Sequence, residues 1–413
     1  MKISDKILSV VVISLFSQSA YAAPFALEGR SLGMGGVSVA TADLATAAWA
    51  NPAMLTNQRP DDDFSLLIGL GVFVRDNDNL IDDIDDLQKL NGLREDAVAA
   101  GNTIAEGGAI LAMSDIISGI DGKAISPEVA GVAAVGIAFD SFAMAFSARA
   151  DIIAAGTVTD LSCSPTTDVT CDLNRLESEI TSTNFNILNL EGLLASELGV
   201  SLAKEFRVFD HSVSIGIKPK IVDLTSFTHR ESVLTVSDGL DLISKDEDTT
   251  DLGTFTSVDA GAAIEISESI TLGLNVKNLI TDNFAVDLGT VNGVPLSGRL
   301  NFDTEARLGM AYRNSFLTFA VDYDLTENAP LLANPLFDKL KTQYLAIGAE
   351  FNAFDFAQLR VGASKNMASG ISSEAKNITY SAGLGLWLGF NLDIAATYSG
   401  NSAGAFLQTG FRF

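Results

Sequence analysis

Residues 378–398, ITYSAGLGLWLGFNLDIAATY, form two segments in which apolar side chains occupy every second position. The apolar face of the first segment consists of Ile378, Tyr380, Ala382, Leu384, Leu386 and Leu388. A period of two is typical of a β-strand, because successive side chains point to opposite faces. The second segment follows almost at once, so the pair predicts an antiparallel hairpin with a short turn at Leu388-Gly389.

The same alternation recurs outward from this hairpin. Lys277 lies on the polar face of ITLGLNVKNL (270–279), and Glu305 and Arg307 lie on that of TEARLGMAYR (304–313). Charged strand faces exclude a dry core but suit a water-filled lumen, so we expect an all-β, transmembrane antiparallel β-barrel of about 14 strands. The predicted strands are 64–74, 131–139, 141–150, 196–207, 211–224, 255–266, 270–280, 304–312, 315–325, 342–351, 356–364, 377–387, 389–398 and 404–413.

The connections between these strands are alternately short and long. Short ones lie at 140, 208–210, 267–269, 313–314, 352–355 and 388–389, and long ones at 75–130, 151–195, 225–254, 281–303, 326–341, 365–376 and 399–403. Outer-membrane barrels have short periplasmic turns and longer outer loops, so both ends of the barrel sequence are expected on the periplasmic side.

Aromatic residues cluster near the short connections. They are Phe139, Phe142, Tyr312, Phe316, Phe351, Phe354, Phe356, Trp387, Phe390, Phe411 and Phe413. This position predicts a periplasmic aromatic girdle, although aromatic residues favour strands of any kind. Phe411 and Phe413 end the last strand, and we expect them to be the signal read by the barrel-assembly machinery.

The first 22 residues have the features of a secretory signal peptide. Lys2 and Lys6 give a basic start, 7–16 is an apolar core, and Ala20-Tyr21-Ala22 is a small-residue cleavage site. The chain is therefore expected to be exported. Beyond this segment no apolar run is long enough to span a bilayer as a helix, and Asp115 interrupts the nearest candidate.

The chain is strongly acidic, with a formal net charge of −26. Nucleic-acid binding needs lysine and arginine to neutralise phosphates, so a nucleic-acid partner is not expected. The acidic residues concentrate in 61–63, 82–86 and 244–251, which are typical of solvated loops or helix faces. Two of the long connections, 80–118 and 172–191, have apolar residues at helical spacing and predict helices in the outer loops.

Cys163 and Cys171 are the two cysteines of the chain. A close pair in a polar loop of an exported protein favours a disulfide, with two free thiols as the alternative. Their spacing does not match a C-x-x-C redox motif.

Other patterns give little support for catalysis or a metal site. RDNDNLIDDIDD (75–86) lacks the glycine of a calcium loop, and two histidines, His211 and His229, are too few for a multi-histidine metal site. His211 beside Ser212 is more simply a polar turn residue than part of a hydrolase. No cofactor is expected, and the chain is expected not to be an enzyme.

Pro219 interrupts the strand SIGIKPKIV (214–222) and lacks a ladder donor. It predicts a bulge near a strand end. A local opening of the wall, through which an apolar ligand would leave sideways, is the alternative.

The N-terminal sequence ALEGRSLGMGGVSVATADLATAAWANPAML (26–55) resembles the opening of the long-chain fatty acid transporter (FadL) superfamily. The matching residues are Gly33, Gly35, Gly36, Ala42-Asp43 and Asn51-Pro52-Ala53. Residues 61–88 are similar to a branch named after conjugal-transfer TraF-like proteins. GRSLGMGG (29–36) does not fit a dinucleotide site, because no βαβ unit follows it. Its glycines instead suit close packing inside a barrel.

The resemblance implies three regions: a signal peptide (1–22), an N-terminal plug segment in the lumen (23–63), and a barrel with long acidic extracellular loops (64–413). It also implies a location in the Gram-negative outer membrane, in contact with lipid and lipopolysaccharide. Two functions follow. The first is a non-enzymatic surface protein with a role in conjugation or cell-surface interaction. The second is passive transport of hydrophobic small molecules, which predicts an apolar pocket between 30–55 and the wall.

Overall fold

The computed structural model describes residues 28–57, 63–76, 78–165, 168, 170–236, 248–291, 294–329, 332–333, 341–354, 356–371, 377–400 and 402–413. The predicted signal peptide, together with 23–27 and 58–62 of the predicted plug segment, lies outside the described residues.

Antiparallel strands dominate the described chain. In chain order they are β1 Phe64–Arg75, β2 Ala124–Phe139, β3 Phe142–Thr159, β4 Ile187–Val208, β5 His211–Ser232, β6 Asp248–Ser267, β7 Ile270–Lys277, β8 Asp282–Val291, β9 Val294–Phe302, β10 Glu305–Arg313, β11 Leu317–Asp324, β12 Leu332–Ala333, β13 Tyr344–Phe354, β14 Ala357–Asn366, β15 Ile378–Trp387, β16 Asn391–Ser399 and β17 Ser402–Arg412. Fourteen of them form one closed barrel, while β8, β9 and β12 form a separate small sheet.

The barrel has an up-and-down topology, and β1 closes it by pairing with β17. This closing ladder runs from Ser65 opposite Arg412 to Arg75 opposite Ser402. Each of the 14 predicted strands corresponds to one barrel strand, so the predicted fold class and strand number are confirmed. We call the two rims the short-turn end and the long-loop end.

The predicted faces are also observed. Ile68, Leu198 and Ile394 point outward and are 55%, 63% and 45% exposed, whereas Arg307 and Gln408 point into the lumen and are 4% exposed. An apolar outer wall with a polar interior is the arrangement of a barrel surrounded by lipid.

Helices lie inside the lumen and at the long-loop end of the barrel. Within the lumen are α1 Gly29–Gly33, α2 Ala47–Ala50 and a 3-10 helix at Pro52–Thr56. At the long-loop end are α3 Leu80–Ala99, α4 Thr103–Ile120 and α5 Leu173–Ile180. These last three helices and the adjoining ends of β2–β5 are called the cap below. Helix α4 has the length and apolar composition to cross a bilayer, and a third of the helix is buried. It packs against α3 within the cap instead.

The prediction of a helix throughout 172–191 is half wrong. LNRLESEI forms α5, but 187–191 belongs to β4. Seven consecutive β4 residues from Ile187 are buried, and Leu190 and Leu193 follow Ile187 at intervals of three, a spacing that also fits a helix. Pairing with β3 and β5 on either side then decides the conformation.

The bulge predicted at Pro219 is not present. Lys218, Pro219 and Lys220 pair with Asp259, Val258 and Ser257 in unbroken register. On the other side the β4–β5 ladder stops at Gly199 opposite Lys220 and resumes in the same register at Leu202 opposite Ile217. The strand thus tolerates proline by omitting ladder pairs on one side.

Three further differences are local. The hairpin β8–β9 lies in what the sequence pattern indicated as a loop (281–303), and Asp251 of an acidic segment lies in strand β6. Trp387, expected in the girdle, instead lies 4.8 Å from the guanidinium of Arg412. Phe142, Phe316 and Phe411 are exposed at the short-turn end, as expected of a girdle.

Candidate functional site: the plug and the lumen

Residues 28–57 lie inside the barrel near the short-turn end, and we call this segment the plug. The Glu28 carboxylate begins α1 by accepting hydrogen bonds from the backbone N–H groups of Arg30 and Ser31, at 2.8 and 2.6 Å. Such a side chain satisfies N–H groups that the first helical turn leaves without partners. Burial, together with the nearby Asp43 carboxylate, raises the pKa of the Glu28 carboxyl from 4.5 to about 7.

The Asn51-Pro52-Ala53 motif fixes the second half of the plug. The Asn51 side chain is fully buried, accepts from the N–H of Ala53 at 3.1 Å, and donates to the carbonyl oxygen of Val39 at 2.9 Å. It also donates to Ala262 of β6 at 3.2 Å, which joins the plug to the wall. Pro52 begins the 3-10 helix, a position where its missing N–H costs nothing.

The three glycines of the N-terminal motif have different roles. Gly35 has φ of 78°, and a Cβ there would lie 2.7 Å from the backbone of Ala363 and Ile347. Gly33 packs against Gly383, where a Cβ would lie 3.0 Å from the Cα atom. Gly36 has φ of 92° with open space around it. Only glycine satisfies both requirements at Gly35.

A second set of glycines belongs to the wall. These residues lie on the lumenal face of their strands at the height of the plug, and each would place a Cβ against the plug backbone or a plug side chain. We call them the glycine belt: Gly136, Gly216, Gly261, Gly273, Gly309, Gly348, Gly362 and Gly383. A Cβ on Gly273, for example, would lie 2.5 Å from the carbonyl oxygen of Val39. The sequence carried this signal, since every belt glycine falls three to six residues from a strand end at a short turn.

Charged contacts also hold the plug. The Arg30 guanidinium binds Glu350 of β13 through two hydrogen bonds of 2.8 Å, a bidentate geometry. Arg360 of β14 binds the same carboxylate at 2.8 Å and also contacts Asp393 of β16. Asp322 of β11 accepts from the backbone N–H groups of Ser38 and Val39, at 2.7 and 3.0 Å. The plug is thus tied to strands on several sides of the lumen.

A recess opens between the plug and the wall at the short-turn end. It is lined by Glu28, Arg30, Asp43, Leu44, Thr46, Asn57, Ser65, Leu66, Leu67, Glu350, Gln358, Arg360, Leu386, Asn391, Asp393, Gln408, Gly410 and Arg412. The lining is mainly polar or charged, with a few leucines. It is therefore not the apolar pocket that the transport hypothesis predicts at this position.

Above the plug, buried ion pairs line the inner wall of the lumen. Lys220 of β5 binds Asp259 of β6 at 2.9 Å and Glu197 of β4 at 3.2 Å. Arg149 and Asp151 of β3 pair at 2.6 Å. Arg307 of β10 and Asp324 of β11 pair at 2.5 Å. The lumen is polar, as the charged strand faces predict.

The cap above this charged layer is apolar inside. Leu80, Leu87, Met113, Ile120 and Leu176 are fully buried in one cluster that α3, α4 and α5 share with β3–β5. Cys163 and Cys171 form a disulfide at the edge of this cluster.

The acidic motif 75–86 has a structural use in the cap. The Asp76 carboxylate accepts from the N–H groups of Leu80 and Ile81, at 2.6 and 2.9 Å, and so caps α3. Among the described residues no cluster of three or more metal-binding side chains was found.

The C-terminal end of the chain has two aromatic residues outside the barrel. Phe411 and Phe413 are 51% and 71% exposed, and Phe413 stacks on Phe64 with ring centroids 4.9 Å apart. Backbone hydrogen bonds join Phe413 and Phe64 in both directions, at 2.8 and 3.0 Å. His211, considered above for hydrolysis, lies 3.2 Å from the carbonyl oxygen of Glu265 at the short-turn rim.

The closed 14-strand barrel fold is shared by solved FadL-like outer-membrane proteins. The toluene transporter TodX of P. putida is 12% identical, with a TM-score of 0.54 over 95% of this chain and 99% of that one. A Pseudomonas aeruginosa FadL homologue gives the same identity, score and coverage. The toluene transporter TbuX of Ralstonia pickettii is 14% identical, with a TM-score of 0.50 over 94% and 99%. These likenesses show the fold, which suggests an outer-membrane location.

The sequence itself matches one family model over residues 48–324, described as "F plasmid transfer operon, TraF, protein". The chain belongs to this family, as the resemblance of residues 61–88 implies. No curated protein matches the sequence.

Proposed function

We propose that this chain is a non-enzymatic outer-membrane protein that acts at the cell surface through its cap, with the plugged barrel as its membrane anchor. The observation that carries the proposal is the packing of the plug against the glycine belt. At the height of the glycine belt the backbone of the plug lies against the backbone of the wall, which leaves little room for a solute. The family description, which refers to plasmid transfer, is consistent with a role in cell-to-cell contact.

The composition of the cap supports this proposal. Residues 76–123 contain eleven acidic and three basic side chains, and they fold over an apolar core. A folded acidic surface favours a basic partner or a surface bridged by divalent cations, because opposite charges steer association. Lipopolysaccharide around the barrel and the barrel-assembly machinery, through Phe411 and Phe413, are further proposed contacts.

The test compares a deletion strain carrying the wild-type gene with one carrying a variant in which a short Gly-Ser linker replaces 78–123. We expect the variant to reach the outer membrane but to lose cell-to-cell contact, measured as mating frequency and adhesion. A second variant, Gly362→Ala, disturbs the plug and serves as the control, because it should leave cell-to-cell contact intact. Normal mating and adhesion in the linker strain would overturn the proposal.

Passive transport of small hydrophobic molecules is the second candidate. The apolar cluster of the cap favours it, as do structural neighbours described as a toluene transporter and a monoaromatic hydrocarbon channel. This function predicts slower toluene uptake in the deletion strain, restored by the wild-type gene. Equal uptake in both strains would exclude it, while loss of uptake with normal adhesion would favour it over the first proposal.

A further inference from the structure

The barrel wall has a step at the short-turn end between β3 and β4. The β3–β4 ladder ends at Ala143 opposite Ala203, but the β4–β5 ladder continues to Val208 opposite His211. The last five residues of β4 therefore have a neighbouring strand on one side only. A groove of about 470 Å³ lies at this step on the outer surface of the barrel.

The groove is almost entirely apolar. Its lining consists of Phe142, Leu202, Ala203, Lys204, Phe206, Ile215, Gly216 and Ile217. Leu202, Phe206 and Ile217 are 40%, 45% and 47% exposed and point away from the lumen. They belong to the lipid-facing wall, so the groove is open to the hydrocarbon chains of the membrane.

Lys204 is the exception in this wall. Among the described strands, it is the one permanently charged side chain that faces outward in the half nearest the short turns. Its ammonium lies 5.6 Å from the ring centroid of Phe206. The described residues provide it with no carboxylate within 4.0 Å, unlike the lysines of the lumen.

The height of Lys204 in the wall indicates what it meets. Phe142 and Phe206 flank it and belong to the aromatic band at the short-turn end, the level of the lipid head groups. An ammonium at this level attracts the phosphate of a lipid, and its methylene stem covers apolar surface.

We propose that this groove binds one glycerophospholipid of the periplasmic leaflet. An acyl chain lies against Leu202, Phe206 and Ile217, and the phosphate pairs with the ammonium of Lys204. The free edge of β4 also offers backbone groups to a peptide strand. The apolar lining and single cation favour the phospholipid, because a peptide strand would leave the charge without a partner.

The experiment is native mass spectrometry of the delipidated protein, titrated with phosphatidylglycerol or with diacylglycerol, which lacks the phosphate. The wild type is expected to retain one phosphatidylglycerol per barrel and to bind diacylglycerol at least tenfold more weakly. Lys204→Met should weaken phosphatidylglycerol binding to the diacylglycerol level. Lys365→Met removes an outward-facing lysine at the long-loop end and should have no effect. Inorganic phosphate should not displace the lipid.

Leu202→Trp fills the groove and should reduce binding of both lipids. Each variant is first shown to be folded by its mobility on an unheated gel. Equal binding of the two lipids, equal loss in Lys204→Met and Lys365→Met, or displacement of the lipid by a bound periplasmic peptide would each overturn the proposal.

Discussion

At the scale of single residues, the glycine belt determines how closely the plug approaches the wall. Each belt glycine removes a side chain that would otherwise stand between the two backbones. Glycine within a strand costs stability, since it loses more conformational freedom on folding than other residues. Eight such positions at one height therefore indicate a requirement for contact with the plug.

Gly362→Ala tests this contact. Its Cβ would overlap the backbone of Met34 and Gly35, so the plug must shift. We expect a loss of roughly 1–3 kcal/mol, the usual cost of overpacking. The loss would be measured as a lower temperature of conversion to the unfolded gel band, with faster proteolysis of the plug. Gly131→Ala, which has open space around it, is the control and should behave as wild type.

Glu28 makes docking of the plug depend on pH. Its pKa is raised from 4.5 to about 7 by burial, so the docked plug favours the protonated form. Its contribution to docking is therefore fully present below pH 4.5 and is lost as the pH rises through about 7. The corresponding free energy is at most roughly 3 kcal/mol.

Limited proteolysis of the plug between pH 5 and 8 measures this dependence. Wild-type protection should fall as the pH rises, while Glu28→Gln, which does not titrate, should show a flatter profile. Identical profiles for the two proteins would contradict a role for Glu28.

At this scale, important residues of the plug were predictable from the sequence, but the wall residues that bind the plug were not. Gly35 and Asn51 stand out in the N-terminal motif, because one is a positive-φ glycine and the other precedes a proline. Glu350, Arg360 and Asp393 are spread over more than forty residues on three strands. Their meeting at Arg30 depends on barrel closure, which no local pattern encodes.

At the scale of elements, a strand is easier to predict from the sequence when its two faces meet different surroundings. β7 and β16 separate lipid from lumen, so their side chains alternate and the strands are found directly. The first part of β4 is buried on both faces, has leucines at a spacing that also fits a helix, and was mistaken for one. The β8–β9 hairpin has the sequence Asn-Gly between Val291 and Val294, a strong hairpin signal that loop length obscured.

The disulfide contributes to the stability of the cap. Its two cysteines lie in the same apolar cluster as α5, and Arg175 of α5 follows Cys171 closely in the sequence. Replacing both cysteines by serine should destabilise the cap by about 2–4 kcal/mol. The expected result is faster tryptic cleavage at Arg175 with unchanged barrel mobility on an unheated gel. A barrel that unfolds together with the cap would show that the two are not separate units.

The last strand depends on its terminal residue. Deleting Phe413 removes the stacking on Phe64 and two backbone hydrogen bonds that close the barrel. Export should continue while the amount of assembled protein in the outer membrane falls several-fold, measured by fractionation and immunoblotting. Phe316→Ala removes another exposed aromatic residue of the girdle and is the control, with near-normal levels expected. Unaltered levels after deletion of Phe413 would count against an assembly role.

At the scale of the whole molecule, polarity changes in layers along the barrel axis. The plug lies at the short-turn end, buried ion pairs line the wall in the middle, and the apolar cap lies at the long-loop end. The sequence predicts the barrel, its topology and the presence of a plug. The order of the layers could not be read from it, since each layer brings together residues from several separate strands.

This layering predicts that the plug, rather than the charged layer, keeps the barrel closed. Ion pairs such as Lys220 with Asp259 join neighbouring strands of the wall, whereas the glycine belt holds the plug at backbone contact. Deleting residues 28–57 should therefore convert a non-conducting protein into a pore with stable current steps in planar bilayers.

The matched control is Arg30→Met, which keeps the plug but loses its bidentate bond to Glu350. It should conduct only in brief openings, because the belt contacts remain. Stable conductance in the wild type would contradict the idea of a closed anchor. If the plug-deleted barrel assembled but stayed closed, the cap would have to be the barrier, and removal of 78–123 from that variant should then open it.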